Sequence, residues 1–366
     1  MPALSRNPCA TALLGVAGVM SLCLLPWVAG PSSQLVAQMG LRVAAPGTLD
    51  PDVARADRLY LELQGAEGAE AVLALLVPDD GVLAPPALPS WDELGALRSG
   101  MGAEALAAGM RGWKDEGHDP HHRFERRWRA ARLALGLGIM AEEWEAQARW
   151  YGWGILWSLE TMASEARLRE QDGQRTGLDT GRDVDGMEGL FWLAALVGRY
   201  ALDSPSDPER GRAGDAAFRL ASYILERDPD HAGAHNVLGR SHLEVRRLSL
   251  PMRILARAFM GGDFVSRTSW EDARRHLTRA VELDPDLIYF RLDLALYHRA
   301  RGDVERFRRE VDTLLQHPRR HPIDGWIQEQ VRGLPDRNRS VSGLSGAGTL
   351  FAVYAVYGSS PVGGSD

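Results

Sequence analysis

Three stretches of this 366-residue chain end in the same way. "GDAAFRLASYILERDPD" (214–230), "SWEDARRHLTRAVELDPD" (269–286) and "EVDTLLQHP" (310–318) carry apolar residues at helical spacing and then stop at a proline. Recurrence at i, i+3, i+4 and i+7 puts those side chains on one face of an α-helix. The stop is steric, because the proline ring disfavours helical backbone in the residue before it. A helix with one apolar face and a fixed end needs a neighbour of the same kind. A chain that repeats the unit stacks its helices in a row, each burying its face only against the next. No stretch of 42–335 shows the alternating, β-branched pattern of a strand.

The residues inside these units match the tetratricopeptide repeat, a 34-residue helix–turn–helix with small residues where helices touch. Ala273, Leu277, Ala280 and Pro285 take its second-helix positions 20, 24, 27 and 32. Thr268 with Glu271 has the form of a capping box for that helix. In the following unit Leu294 and Ala295 take positions 7 and 8, Gly302-Asp303 form the interhelix turn, and Phe307 takes position 20. Upstream, Ala217 takes position 20 and Pro229 position 32.

One unit is interrupted. Counting back from Ala273 puts the first-helix glycine at residue 261, yet the helix that fits, "AHNVLGRSHLEV", carries Leu238-Gly239, 22 residues earlier. The insert is "RLSLPMRILARAFMGGDFVSR" (247–267). Pro251 suits the first turn of a short helix, and Gly261-Gly262 ends it. Met252, Leu255 and Phe259 are expected on one face, with Arg253 and Arg257 on the other. The simplest role for the apolar face is to plug a gap in the stack. The other is to border a hydrophobic groove, with the two arginines at its rim.

A repeat reading "HNVLGR…EV…LS…A…GG…SWEDA…AVELDP", with a short helix between its halves, resembles the regulator of microtubule dynamics family and its bacterial relatives. "GLFWLAALVGR" and "HAGAHNVLGR" upstream also suit it, and the resemblance covers roughly residues 120–335. It implies an all-helical tetratricopeptide-type superhelix that binds partners. One mitochondrial outer-membrane member is linked to membrane contact sites and phospholipid binding. The acidic, phenylalanine-containing peptide motif of that member has no match here.

The first 40 residues set the expected compartment. After Arg6 there is no charge until Arg42, and "ATALLGVAGVMSLCLL" (10–25) is an apolar run followed by Pro26 and the small, polar "AGPSSQ". A basic start, an apolar stretch and a small-residue exit describe an export signal over 1–37, cut after Ala37. The alternative is an uncleaved anchor, since 10–29 approaches the ~20 residues that span a bilayer. Cys9 and Cys23 both lie in this segment, so a cleaved chain has neither disulfide nor thiol chemistry. The net charge of −7 argues against nucleic acid as a partner.

Candidate chemistry is sparse. His231, His235 and His242 lie on or beside one helix, and an i, i+4 pair can hold zinc. His235 and His242 take repeat positions 4 and 11, where large side chains pack between helices, and no H-E-x-x-H motif accompanies them. His118, His121 and His122 in "GHDPHHRFE" and His317 and His321 in "HPRRHP" are expected to be solvated. Trp150, Trp153 and Trp157 share one helix face, either as core or as the wall of an apolar groove. "SGLSGAGT" lacks the lysine of a phosphate loop. The expectation is no enzyme, no catalytic residue, no metal site and no cofactor.

The chain is therefore expected to be an all-α, tetratricopeptide-type α-solenoid of about five helix pairs, with an inserted short helix in one repeat. Its parts are a signal or anchor (1–37), a first helix pair (38–76), a Pro/Gly-containing loop region (77–119), the repeat domain (120–335) and a Gly/Ser-rich tail (336–366). The expected role is a non-catalytic scaffold or adaptor for protein partners outside the cytoplasm. The alternative is a carrier of hydrophobic ligands such as phospholipids in the concave groove. N-terminal sequencing of the soluble extracytoplasmic protein is expected to begin near Gln38. Membrane-bound material with Met1 intact supports the anchor instead.

Overall fold

A computed structural model describes residues 50–77, 86–111, 119–176, 187–259 and 262–332. The signal or anchor segment, both cysteines, His118 and the 336–366 tail lie outside these residues. All regular structure among the described residues is helical. In chain order the helices are α1 (Pro51–Glu62), α2 (Gly65–Leu76), α3 (Trp91–Gly95), α4 (Gly100–Arg111), α5 (Pro120–Met140), α6 (Trp144–Thr176), α7 (Met187–Asp203) and α8 (Asp207–Arg227). They continue as α9 (Ala232–Arg247), α10 (Leu250–Phe259), α11 (Gly262–Ser266), α12 (Trp270–Leu283), α13 (Ile288–Ala300), α14 (Val304–Gln316) and α15 (Asp324–Arg332).

The helices pack as hairpins laid side by side. α1 pairs with α2, α5 with α6, α7 with α8, α9 with α12, and α13 with α14. Neighbouring hairpins then meet through α2 and α5, α6 and α7, α8 and α9, and α12 and α13. The proline stops act as expected. α8, α12 and α14 end two residues before Pro229, Pro285 and Pro318, and the intervening Asp228, Asp284 and His317 have left helical backbone. Between α13 and α14 the chain reverses at Gly302, whose φ of 73° is in the left-handed region open to glycine. Asp303 then caps α14 by accepting from Arg306 N at 3.1 Å.

The interrupted unit closes across its insert. α9 lies along α12, and Gly239 sits so close to Leu277 that a Cβ there would stand 2.6 Å from Leu277 Cγ. Ala273, Leu277 and Ala280 are wholly buried. The cap differs from the expected one. Ser269, not Thr268, starts the helix, accepting from Asp272 N at 2.9 Å, while Thr268 Oγ1 donates to the Val265 carbonyl. Thr268 is taken up in closing the turn after α11, so the helix begins one residue later.

One further expectation is corrected. The 77–119 region is not simply a loop, since it carries α3 and α4. Ser90 and Glu93 form a reciprocal capping box, and Trp91 is anchored on Tyr200 with ring centroids 4.6 Å apart. α4 buries Ala103 and Ala107, one turn apart, and packs on α6. Between α5 and α6 the helical backbone is broken at Ala141–Glu143. α6 runs on to Thr176.

The ends of the stack touch. Gly65 N donates to the Pro322 carbonyl at 2.9 Å, Gly325 N donates to Gln64 Oε1 at 3.3 Å, and the Tyr60 ring meets the edge of His321 at 5.6 Å. A row of hairpins that curves until its first and last members meet encloses an inner face. Overpacking Ala273 with phenylalanine is expected to cost about 1–3 kcal/mol. A melting curve lowered by several degrees checks it, and an unchanged one would place Ala273 away from the α9–α12 contact.

Candidate functional site

The inner face holds a cavity of about 560 Å³. α7 lines it with Ala195, Gly198, Arg199 and Leu202, and α8 with Arg210, Gly211 and Gly214. α9 supplies Asn236, Val237, Arg240, Ser241 and Glu244 to Arg247. Phe264 of α11, Trp270 of α12, and Tyr289, Asp293 and Arg299 of α13 complete the wall, with Leu135 from α5. Six arginines thus face two carboxylates, Glu244 and Asp293, in a chain whose net charge is −7. The cavity runs against the charge of the rest of the molecule.

Its floor is a tied network. Arg240 bonds Asp293, whose other oxygen accepts from Asn236 Nδ2 at 3.0 Å. Arg240 Nε also lies 2.8 Å from Glu244, which Arg247 meets at 3.1 Å. Burial would raise the Glu244 carboxyl, but Arg240 and Arg247 outweigh it and hold its pKa below the usual range. On α7, Arg199 is 3% exposed and binds Asp203 through two nitrogens at 2.8 and 2.9 Å, while Tyr151 of α6 donates to the same carboxylate. Burial opposes the Arg199 charge, and Asp203 with Tyr151 more than offsets it, so its pKa rises further. Arg246 and Arg299 are only half-buried and reach the cavity from its sides.

The histidines lie elsewhere. His235 and His242 of α9 pack against α12, as expected of their repeat positions, and they meet His276, which sequence reasoning missed. The Nδ1 atoms of His235 and His276 are 2.8 Å apart, and the His242 and His276 rings stack at 5.8 Å. His231 caps α9 by accepting from Ala234 N at 3.2 Å. Among the described residues no group of three or more His, Cys, Asp or Glu side chains is placed to hold a metal ion. His121 and His122 are not in a loop but in the first turn of α5, where His122 Nδ1 lies 3.1 Å from Asp50. His321 is packed on Tyr60 rather than solvated, and His317 is half-buried 3.9 Å from Asp286. Trp150, Trp153 and Trp157 are all buried, and none lines the cavity.

The insert divides its two expected roles. α11 does the plugging, because Phe264 is buried against Phe218 with centroids 5.2 Å apart and forms part of the cavity wall. α10 does not. It buries Ala256 and partly covers Met252, while Leu255 is 50% exposed. The Phe259 side chain lies outside the described residues. Neither a protein-family model nor a curated protein matches this chain.

Burial pushes His231 and His276 down to about 4, with neighbouring histidine charge adding to both, and also lowers His235 and His242. A histidine whose folded pKa lies below its unfolded value of about 6.5 stabilises the fold fully above that value. That stability is lost as the pH falls through 6.5 toward 4. Glu165 of α6 works in the opposite sense, since burial, reinforced by Glu188, raises its carboxyl to about 8. A His276→Gln variant isolates one histidine from this background. Its stability relative to wild type is expected to be constant above about pH 6.5 and to improve steadily as the pH falls toward 4. Chemical denaturation of both proteins across that range measures it.

Proposed function

We propose that this chain is a non-catalytic, tetratricopeptide-type scaffold that holds an acidic segment of a partner protein on its inner face. The arginine-rich cavity carries the reading: apolar wall atoms for side chains, and guanidinium groups for carboxylates. Arginine suits this task, since its planar fork pairs with a carboxylate through two nitrogens. The network beneath is already satisfied, so the floor offers a fixed shape rather than a reactive group. Ser241 Oγ donates to the Val237 carbonyl, and the Glu244 carboxyl is held ionised by two arginines. Neither is poised as a nucleophile or as a base near neutral pH. The helix hairpins, the proline stops and the insert between α9 and α12 support the tetratricopeptide assignment and the resemblance to the regulator of microtubule dynamics family. The charge-free leader supports placement outside the cytoplasm.

A second reading, a carrier of anionic lipids, draws on the same apolar wall and arginine fringe. It does not draw on the tryptophans, which belong to the core. One experiment separates the two. A photo-crosslinking amino acid in place of Val237, irradiated in cells, is expected to trap a protein segment rich in Asp or Glu. Arg246→Gln/Arg299→Gln is expected to abolish the crosslink while leaving the chain folded, with a loss of stability of no more than about 1–2 kcal/mol. A crosslink to lipid instead, with stoichiometric lipid in organic extracts of the pure protein, overturns the scaffold reading in favour of the carrier.

A further inference from the structure

α10 turns its apolar side outward. Leu250 and Ile254 are each 63% exposed and Leu255 50%, with Pro251 exposed between them. These are three of the six large hydrophobic side chains that stand exposed among the described residues, gathered on one ten-residue helix. At 100° per residue, Leu250, Ile254, Pro251 and Leu255 span one side of the helix, and Arg257 and Arg253 follow along one edge. Ala256 and Met252 face inward. The helix packs chiefly on the short α11.

The charge on the helix itself has one sign. Leu250–Phe259 carries Arg253 and Arg257 and no acidic residue, although the chain as a whole is acidic and Glu244 and Asp263 flank the segment. The apolar side chains stand exposed on one side of a helix. A folded partner would need a complementary trough for them, whereas the boundary between headgroups and acyl chains accepts them directly. About 15 Å of helix is too short to span a bilayer and suits one lying in its surface.

We propose that α10 is a membrane-surface contact. Leu250, Ile254 and Leu255 enter the acyl boundary of an anionic leaflet, and Arg253 and Arg257 meet its phosphates. Leu248 and Phe264, on either side of α10 in the chain, both line the cavity, so the contact would bring the cavity's edge to the membrane. The two sites are independent, and failure of this one leaves the cavity reading standing.

Hydrogen-exchange mass spectrometry on the full chain reads the contact locally. Amides of 250–259 are expected to exchange more slowly with phosphatidylcholine vesicles that contain phosphatidylglycerol, and to be unchanged by phosphatidylcholine alone. Ile254→Ser/Leu255→Ser changes only exposed positions, so the fold should stand while partitioning falls about tenfold or more. Arg253→Gln/Arg257→Gln should also weaken partitioning about tenfold at low salt, with the difference shrinking as salt rises. Absence of protection with either vesicle, or protection confined to residues before 50, overturns the proposal. Equal protection by poly-glutamate, insensitive to Ile254→Ser/Leu255→Ser, also overturns it and assigns the face to an acidic protein.

Discussion

The approach of α9 to α12 organises the rest of the molecule. Gly239 lets Leu277 sit where a side chain would otherwise stand, and the wholly buried Ala273 and Ala280 keep the second helix close. Close packing leaves no slack for larger residues at such a seam. Because the two halves pair directly, the 22 residues between α9 and α12 cannot lie between them. They are extruded as α10 and α11. One end of the extrusion folds back and seats Phe264 in the cavity wall, while the other stands clear with its aliphatic side chains in solvent.

The inner face is unusual in being charged as well as buried. A lone buried guanidinium would be costly, and here each deep one is matched: Arg199 by Asp203 and Tyr151, Arg240 by Asp293 and Glu244. The matching crosses helices. Tyr151 comes from α6, Arg199 and Asp203 from α7, and Asn236 and Arg240 of α9 share Asp293 of α13. These bonds tie neighbouring hairpins together beneath the cavity. Arg246 and Arg299 are half-buried and line the same cavity.

Much of the architecture was legible in the chain itself. Helical periodicity, the three proline stops, the Gly302 turn and the small residues at 239, 273 and 280 are local or nearly local signals, and each has a local steric cause. The displaced glycine at 239 marked the insert by arithmetic alone. Other local signals are masked by their surroundings. Ser90-x-x-Glu93 is a capping box inside a Pro/Gly-containing stretch, and His276 lies on the same helix as Ala273 and Ala280. Thr268 and Ser269 both offer a hydroxyl one turn before an acid, and only the fold of the preceding turn chooses between them.

What the sequence determined by itself was an all-helical chain of hairpins with one insertion, because backbone sterics and apolar spacing act within a few residues. The tertiary structure decided which faces look inward. It put Trp150, Trp153 and Trp157 into the core and the arginines of α7, α8, α9 and α13 around one cavity. It brought His235, His242 and His276 together and joined Tyr60 to His321 across 261 positions. It also turned α10 outward. Helical spacing records that a helix has an apolar side. Whether that side meets a neighbour or solvent depends on where the other helices lie, and that is set by contacts far apart in the chain.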